Sequence, residues 1–98
     1  MAASELPENE PTAVEVGDTP VLLVRSGATV RALHDRCSHR GCSLAQGTLD
    51  GDVIECGCHG SRFALADGAI ERGPATVPQP AYEVREQDGQ IEVRLPAS

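Results

Sequence analysis

The stretches CSHRGCSL (residues 37–44) and CGCHGSRF (residues 56–63) decide the fold of this chain. The first contains the pattern C-x-H, the second contains C-x-x-H, and sixteen residues separate the two patterns. Thiolates and imidazoles both bind iron and zinc. The two stretches therefore offer four candidate ligands to one metal centre, which are Cys37, His39, Cys56 and His59.

Two alternatives use the same residues. A zinc finger usually pairs Cys with Cys and His with His, whereas each stretch here pairs one Cys with one His. A thiol nucleophile with a histidine base needs fewer groups than four cysteines and two histidines. A structural zinc module without redox activity would be colourless, which is the observable that separates it from an iron site.

The two stretches resemble the cluster-binding loops of the Rieske [2Fe–2S] family, and Gly73-Pro74-Ala75 resembles the proline loop of that family. The resemblance extends from Val21 to Leu95. It implies one [2Fe–2S] cluster per chain. By the family pattern, two cysteines hold one iron and two histidines replace cysteines on the other. The implied ligands are Cys37 and Cys56 on one iron, and His39 and His59 on the other.

This mixed ligation has consequences for redox chemistry. Two thiolates leave the oxidised site near neutral, so an electron is added more easily than to a four-thiolate site. Potentials then lie at roughly −150 to +300 mV, against roughly −400 mV for the four-cysteine type. If the imidazole edges reach solvent, as they do in the family, electron gain can couple to proton gain.

The resemblance also implies a disulfide between Cys42 and Cys58, which is typical of the quinol-oxidising branch. In the same branch, a serine at the position of Ser61 donates a hydrogen bond to a bridging sulfide and raises the potential. Two residues depart from that branch: Phe63 stands in place of a tyrosine, and Gly57 in place of a proline. We therefore expect a potential between those of ferredoxin-like and quinol-oxidising proteins.

The other residues near the two stretches have ordinary explanations. Gly41, Gly57 and Gly60 permit the tight bends that aim backbone amides at sulfur, although loop glycines are common. Arg40 is interpreted as a surface charge. His34 lies outside both patterns, and we expect it to be structural or exposed.

Short apolar segments between turn signals predict an all-β, Rieske-like fold with small antiparallel sheets. Hairpins are expected at Asp50-Gly51, Asp67-Gly68 and Asp88-Gly89. We expect two small sheets plus a cluster-binding subdomain formed by residues 37–63. Residues 1–11 are predicted to be a loosely tied, acidic lead-in, and residues 12–98 a single domain with loops 37–46, 56–63 and 73–80.

Composition restricts the partners. The net charge is −7 and lysine is absent, which argues against nucleic acid as a partner. No apolar run approaches the roughly 18 residues of a membrane span, and the amino terminus lacks the pattern of a secretory signal. We expect a soluble chain, either cytoplasmic or the soluble domain of a membrane-associated protein.

The function predicted from these features is one-electron transfer between redox partners, not catalysis by the chain itself. Neither a second metal site nor a nucleotide-binding loop is evident in the sequence. Two partner classes stay open. The chain could be the soluble head of a quinol-oxidising complex, or a ferredoxin that works with an oxygenase or a reductase.

Overall fold

The computed structural model describes residues 2–27, 29–38, 41–58 and 60–95. Within these ranges the chain forms two antiparallel sheets, as the sequence predicts. The five-stranded sheet has the order β1-β2-β3-β8-β9, and the four-stranded sheet has the order β4-β5-β6-β7. The strands are β1 (Thr12–Val16), β2 (Thr19–Ser26), β3 (Thr29–His34), β4 (Thr48–Asp50), β5 (Val53–Glu55), β6 (Arg62–Ala64), β7 (Ile70–Arg72), β8 (Ala81–Gln87) and β9 (Gln90–Arg94).

The predicted hairpins are present. In the β8–β9 hairpin, Gln87 pairs with Gln90, and the two residues between them both have positive φ, 53° at Asp88 and 75° at Gly89. This backbone matches the twist of the flanking strands and is favoured by Asp-Gly. Hairpins also join β4 to β5 and β6 to β7. Turn chemistry in the sequence therefore predicts these connections correctly.

Strand β2 is buried on both faces and divides the core in two. Leu22 and Val24 face an inner core that lies against the four-stranded sheet, whereas Val21 and Leu23 face an outer core on the other side. A strand covered on both sides reads as a continuous apolar run, which explains VLLV at residues 21–24. The inner core also contains Phe63, the largest fully buried side chain among the described residues.

The prediction that residues 1–11 are loosely tied is wrong. Leu6 is 4% exposed and packs in the outer core, because the outer face of β2 needs a cover. The backbone N–H of Ala3 donates to Gly89 O at 2.8 Å, and that of Asn9 donates to Arg25 O at 2.7 Å. The acidic composition of this segment concealed one apolar residue with a place in the core. The domain boundary at residue 12 stays a prediction.

The predicted subdomain of residues 37–63 is too short. It is built on the four-stranded sheet, which runs from Thr48 to Arg72 and so includes β7. Strand β6 continues past the predicted end to Ala64, and β7, which pairs with the other edge of β6, lies wholly outside the predicted range. No helix in the described ranges is long and apolar enough to cross a membrane.

Candidate metal centre

The first loop (residues 37–46) leaves the five-stranded sheet after β3 and bends tightly. The backbone N–H of Cys37 donates to Cys42 O at 2.8 Å, and the N–H of Gly41 donates back to Cys37 O at 2.8 Å. Gly41 has φ 75°, a conformation that glycine adopts without strain. Cys37 therefore lies at the base of a closed bend. His39 and Arg40 lie outside the described residues.

The second loop (residues 56–63) joins β5 to β6 and repeats the same backbone pattern. The N–H of Cys56 donates to Ser61 O at 2.7 Å, and the N–H of Gly60 donates back to Cys56 O at 3.0 Å. Gly60 has φ 78°. In both loops a cysteine at position i bonds position i+5, and a positive-φ glycine occupies i+4. His59, like His39, lies outside the described residues. Gly57, the third glycine of the prediction, is absent from the positive-φ set.

The predicted disulfide is present. Cys42 and Cys58 are bonded with an S–S distance of 2.03 Å and a Cα–Cα distance of 6.5 Å, and the bond joins the two loops. Cys42 is half-buried and Cys58 is exposed. The Sγ atom of Cys56 lies within 4.8 Å of both bonded sulfurs. Since the two bonded sulfurs are not thiolates, they are unsuited to act as ligands.

The two candidate thiol ligands lie outside this disulfide and are buried. Cys37 is 3% exposed and Cys56 is 2% exposed, and both belong to the inner core with Leu44 and Phe63. The interior between the sheets thus receives one cysteine from the base of each loop. Two thiolates in an apolar, water-poor setting suit a metal that neutralises their charge.

The proline loop (residues 73–80) hydrogen-bonds both metal-site loops. On the first loop, Ser38 Oγ donates to Val77 O at 2.5 Å. On the second loop, Ser61 Oγ accepts a hydrogen bond from the N–H of Ala75 at 3.1 Å, and Ser61 is fully buried. Val77 itself is 57% exposed, and it is the exposed large apolar side chain of the described residues. The proline loop therefore places an apolar side chain at the surface beside the first loop.

Two buried polar residues near the first loop were not anticipated from the sequence. Gln79 is 2% exposed and hydrogen-bonds the chain on both sides of Cys37. Asp35 is 3% exposed, and its carboxylate accepts hydrogen bonds from Ser43 Oγ at 2.6 Å and Ala45 N at 2.9 Å. Neither residue belongs to a recognisable pattern, because each acts on backbone groups that the tertiary fold brings near.

His34 is structural, as predicted. Its Nδ1 lies 3.0 Å from Tyr82 Oη, and the two rings meet edge to face with centroids 6.5 Å apart. Burial raises the pKa of Tyr82 above its usual value. This contact joins the last residue of β3 to β8, three residues before the first loop begins.

Acidic residues are distributed unevenly between the three loops and the rest of the chain. The three loops (residues 37–46, 56–63 and 73–80) contain no Asp or Glu, although the chain carries a net charge of −7. The predicted acidic surface is confirmed at the described positions: the side chains of Glu5, Glu8, Glu10, Glu15, Asp18, Glu83, Glu86 and Asp88 are all exposed. These exposed acidic residues therefore lie outside the three loops, whereas the buried carboxylate of Asp35 hydrogen-bonds the first loop.

Known proteins resemble the chain over nearly its whole length. Ferredoxin CarAc of Metapseudomonas resinovorans is 42% identical over 80% of this chain and 73% of its own length. The anthranilate 1,2-dioxygenase ferredoxin subunit of Burkholderia cepacia is 35% identical over 96% of this chain and 87% of its own. The cytochrome b6-f complex iron-sulfur subunit of Chlorobaculum tepidum is 33% identical, over 95% of this chain and 50% of its own.

Solved structures agree with these relatives. A chain in the complex of reduced oxygenase and oxidized ferredoxin in carbazole 1,9a-dioxygenase superposes with a TM-score of 0.87 and 39% identity, over 95% of this chain and 96% of that chain. The ferredoxin of carbazole 1,9a-dioxygenase from Nocardioides aromaticivorans superposes with a TM-score of 0.90 and 33% identity, over 95% and 91%. The profile of the Rieske [2Fe–2S] domain matches residues 1–83. With the paired loops, the proline loop and the two-sheet fold, this match shows that the chain belongs to the Rieske [2Fe–2S] domain family.

Proposed function

We propose that this protein is the ferredoxin that delivers single electrons to a Rieske-type oxygenase. As a member of the family, the chain carries one [2Fe–2S] cluster and transfers electrons without being an enzyme by itself. The observation that supports the oxygenase partner is the superposition, at 39% identity, on almost the full length of a chain from an oxygenase–ferredoxin complex.

The proposed ligands are Cys37 and Cys56 on one iron, and His39 and His59 on the other. The described part of the site fits a [2Fe–2S] cluster, because two buried cysteines rise from two matching bends that a disulfide holds together. When bound, the cluster supplies one-electron redox chemistry. The domain proposed to hold it is residues 12–98, with loops 37–46, 56–63 and 73–80.

The protein residues set the surroundings of that site. Leu44 and Phe63 are fully buried beside the two cysteines and exclude water from their side of the site. Ser61 gives its oxygen lone pair to Ala75 N–H and keeps its own proton available for donation. With a cluster bound, Ser61 would donate that proton to a cluster sulfur, where a hydrogen bond favours the more negative reduced state.

The partner is proposed to dock on the surface formed by the three loops. This surface lacks carboxylates and presents Val77, so an apolar contact can form there without burying an unpaired acidic group. The exposed acidic residues outside these loops then attract a basic rim of the partner and orient it during docking. We propose the cytoplasm as the compartment, with oxygenase and reductase components as the partners.

Two experiments test this proposal. His59→Ala should abolish the native visible spectrum, and an unaltered spectrum would contradict the ligand assignment.

The second experiment tests the partner. The dithionite-reduced wild-type protein is mixed with a Rieske oxygenase or with cytochrome c in a stopped-flow instrument. We expect faster oxidation by the oxygenase at equal driving force; faster transfer to cytochrome c would favour a quinol-linked chain.

The disulfide supports a second candidate, the head of a quinol-oxidising complex. The bond between Cys42 and Cys58 is typical of that branch, and the cytochrome b6-f relative belongs to such a complex. A redox titration over roughly pH 6 to 10 separates the two candidates. A positive potential that falls with pH supports quinol chemistry, whereas a lower potential that is flat near neutrality supports the ferredoxin.

A further inference from the structure

We propose that Gln79 is the positioning residue of the metal centre: its side chain fixes Cys37 by binding the peptide units on both sides of it. This inference rests on the proposed function, because it takes Cys37 as a ligand. It goes further by assigning control of that ligand to a residue of the proline loop, distant from Cys37 in the sequence.

The amide of Gln79 makes three hydrogen bonds to the chain around Cys37. Its Oε1 accepts from the N–H of Ser38 at 2.6 Å. Its Nε2 donates to the carbonyl oxygen of Arg36 at 2.8 Å and to that of His34 at 2.7 Å. One side chain thus binds the residue before Cys37 and the residue after it.

The orientation of this amide follows from its partners. A backbone N–H can only donate and a carbonyl oxygen can only accept, so Oε1 must face Ser38 and Nε2 must face the two carbonyls. Both amide protons are then used. Gln79 is 2% exposed, so water has little access to replace a lost bond.

The backbone of Gln79 is itself fixed by a contact with the four-stranded sheet. Its N–H donates to Gly68 O at 2.9 Å, at the turn between β6 and β7. Gly68 has φ +77°, and a Cβ built there would lie 1.9 Å from Gln79 O. Only glycine allows the two backbones to approach this closely. We call the three hydrogen bonds of the Gln79 side chain the clamp. The backbone of Gln79 is thus bound to the turn between β6 and β7 of the four-stranded sheet, and the second loop belongs to the same sheet.

The clamp has an electrostatic consequence for the site. While the N–H of Ser38 donates to Gln79, it is unavailable as a donor to a cluster sulfur. Hydrogen bonds to sulfur and access of water both stabilise the more negative reduced state and raise the potential. Loss of the clamp frees this N–H and loosens the loop. We therefore expect the wild-type clamp to keep the potential low and the site uniform.

The test compares Gln79→Met, which keeps the length of the side chain and removes its hydrogen bonds, with two controls. Gln46→Met makes the same chemical change at an exposed position, the last residue of the first loop. Ser38→Ala removes the Ser38 Oγ bond to Val77 but keeps the N–H bond to Gln79. The readouts are the reduction potential, the EPR spectrum of the reduced protein, and hydrogen exchange of the Ser38 amide.

For Gln79→Met we expect a raised potential, a broader EPR spectrum and Ser38 exchange that is roughly tenfold faster. Both controls should keep the wild-type potential and EPR line shape. A purely structural role would lower the melting temperature but leave the potential and spectrum of the loaded protein unchanged, and that result would overturn the proposal.

Two further outcomes would also support or overturn the proposal. If Gln79→Met folds but no longer binds the cluster while both controls do, the clamp is required for the site and the proposal stands. If Gln79→Met does not fold, exchange in the wild-type protein decides, because an unprotected Ser38 amide overturns the clamp. Failure of the ligand assignment is visible separately: Cys37→Ser would then keep the native spectrum.

Discussion

The hydroxyl oxygen of Ser61 accepts a hydrogen bond from the backbone N–H of Ala75, at 3.1 Å, inside the protein. Ser61 is fully buried and Ala75 is 5% exposed. The bond connects the second loop to the proline loop and fixes the direction of the serine oxygen. Since the N–H occupies a lone pair, the serine proton stays available for a different acceptor.

Replacing this serine tests both parts of the arrangement. Ser61→Ala should lower the reduction potential, because the reduced state loses a donor. It should also lower the free energy of unfolding by about 1–3 kcal/mol, because the Ala75 N–H is left buried without a partner. Ser38→Ala, an exposed serine on the first loop, is the control. An unchanged potential together with the stability loss would leave Ser61 a purely structural role.

The sequence predicted those features that depend on local chemistry. Asp88-Gly89 fixes its hairpin by turn geometry. The Cys42–Cys58 bond, in contrast, was predicted from the family resemblance and not from local chemistry. The sequence did not predict features that depend on a distant neighbour. Leu6 is one apolar residue in an acidic segment, and its role becomes visible only when the outer face of β2 needs a cover. The bonds of Gln79 likewise exist only after the proline loop folds back.

Phe63 offers a test of the missing tyrosine. Phe63→Tyr should raise the potential if the new hydroxyl donates to a ligand thiolate. The side chain is fully buried in the inner core with Cys37 and Cys56, so a hydroxyl without a partner there would cost stability. Redox titration and thermal melting are measured together. A lower potential, or no change, would count against the argument from the missing donor.

The disulfide should contribute stability and be open to reductant. Its cysteines are 16 residues apart, so the double variant Cys42→Ser/Cys58→Ser should lose about 3 kcal/mol in the chain-entropy account. For a chain of this size, at about 4–8 °C per kcal/mol, the melting temperature should fall by roughly 12–24 °C. Because Cys58 is exposed, dithiothreitol should bring the wild type to the melting temperature of the double variant. Equal melting temperatures without reductant would contradict this prediction.

The ion pair between Arg25 and Glu86 should affect stability in acid. The two side chains form a two-point hydrogen bond at 3.1 and 2.9 Å, and this bond lowers the pKa of Glu86 below its usual 4.5, although burial opposes the shift. A carboxyl with a lowered pKa stabilises the fold above its unfolded pKa, and the contribution is lost as pH falls through the folded value.

Unfolding free energies measured from about pH 7 to about pH 3 check this prediction. Glu86→Gln should lose part of the acid-dependent decrease and should differ from wild type mainly above pH 4.5. Glu83→Gln is the matched control, because its carboxylate lies 3.8 Å from Arg94 and is 81% exposed. The same acid profile in all three proteins would exclude a role for the pair.

Val77 tests the proposed docking surface. Val77→Glu places a carboxylate on a surface formed by loops without acidic residues, so the partner would have to bury an unpaired charge. We expect KM for the oxygenase to rise by about tenfold, the size of effect seen for an interface residue that contributes to binding. Since the change lies in binding and not in the redox site, the reduction potential and the kcat should stay near the wild-type values. The control is Thr29→Glu, which adds the same charge at the first residue of β3, the end of that strand away from the first loop. It should leave KM unchanged. Equal KM values for the two variants would place the docking surface elsewhere.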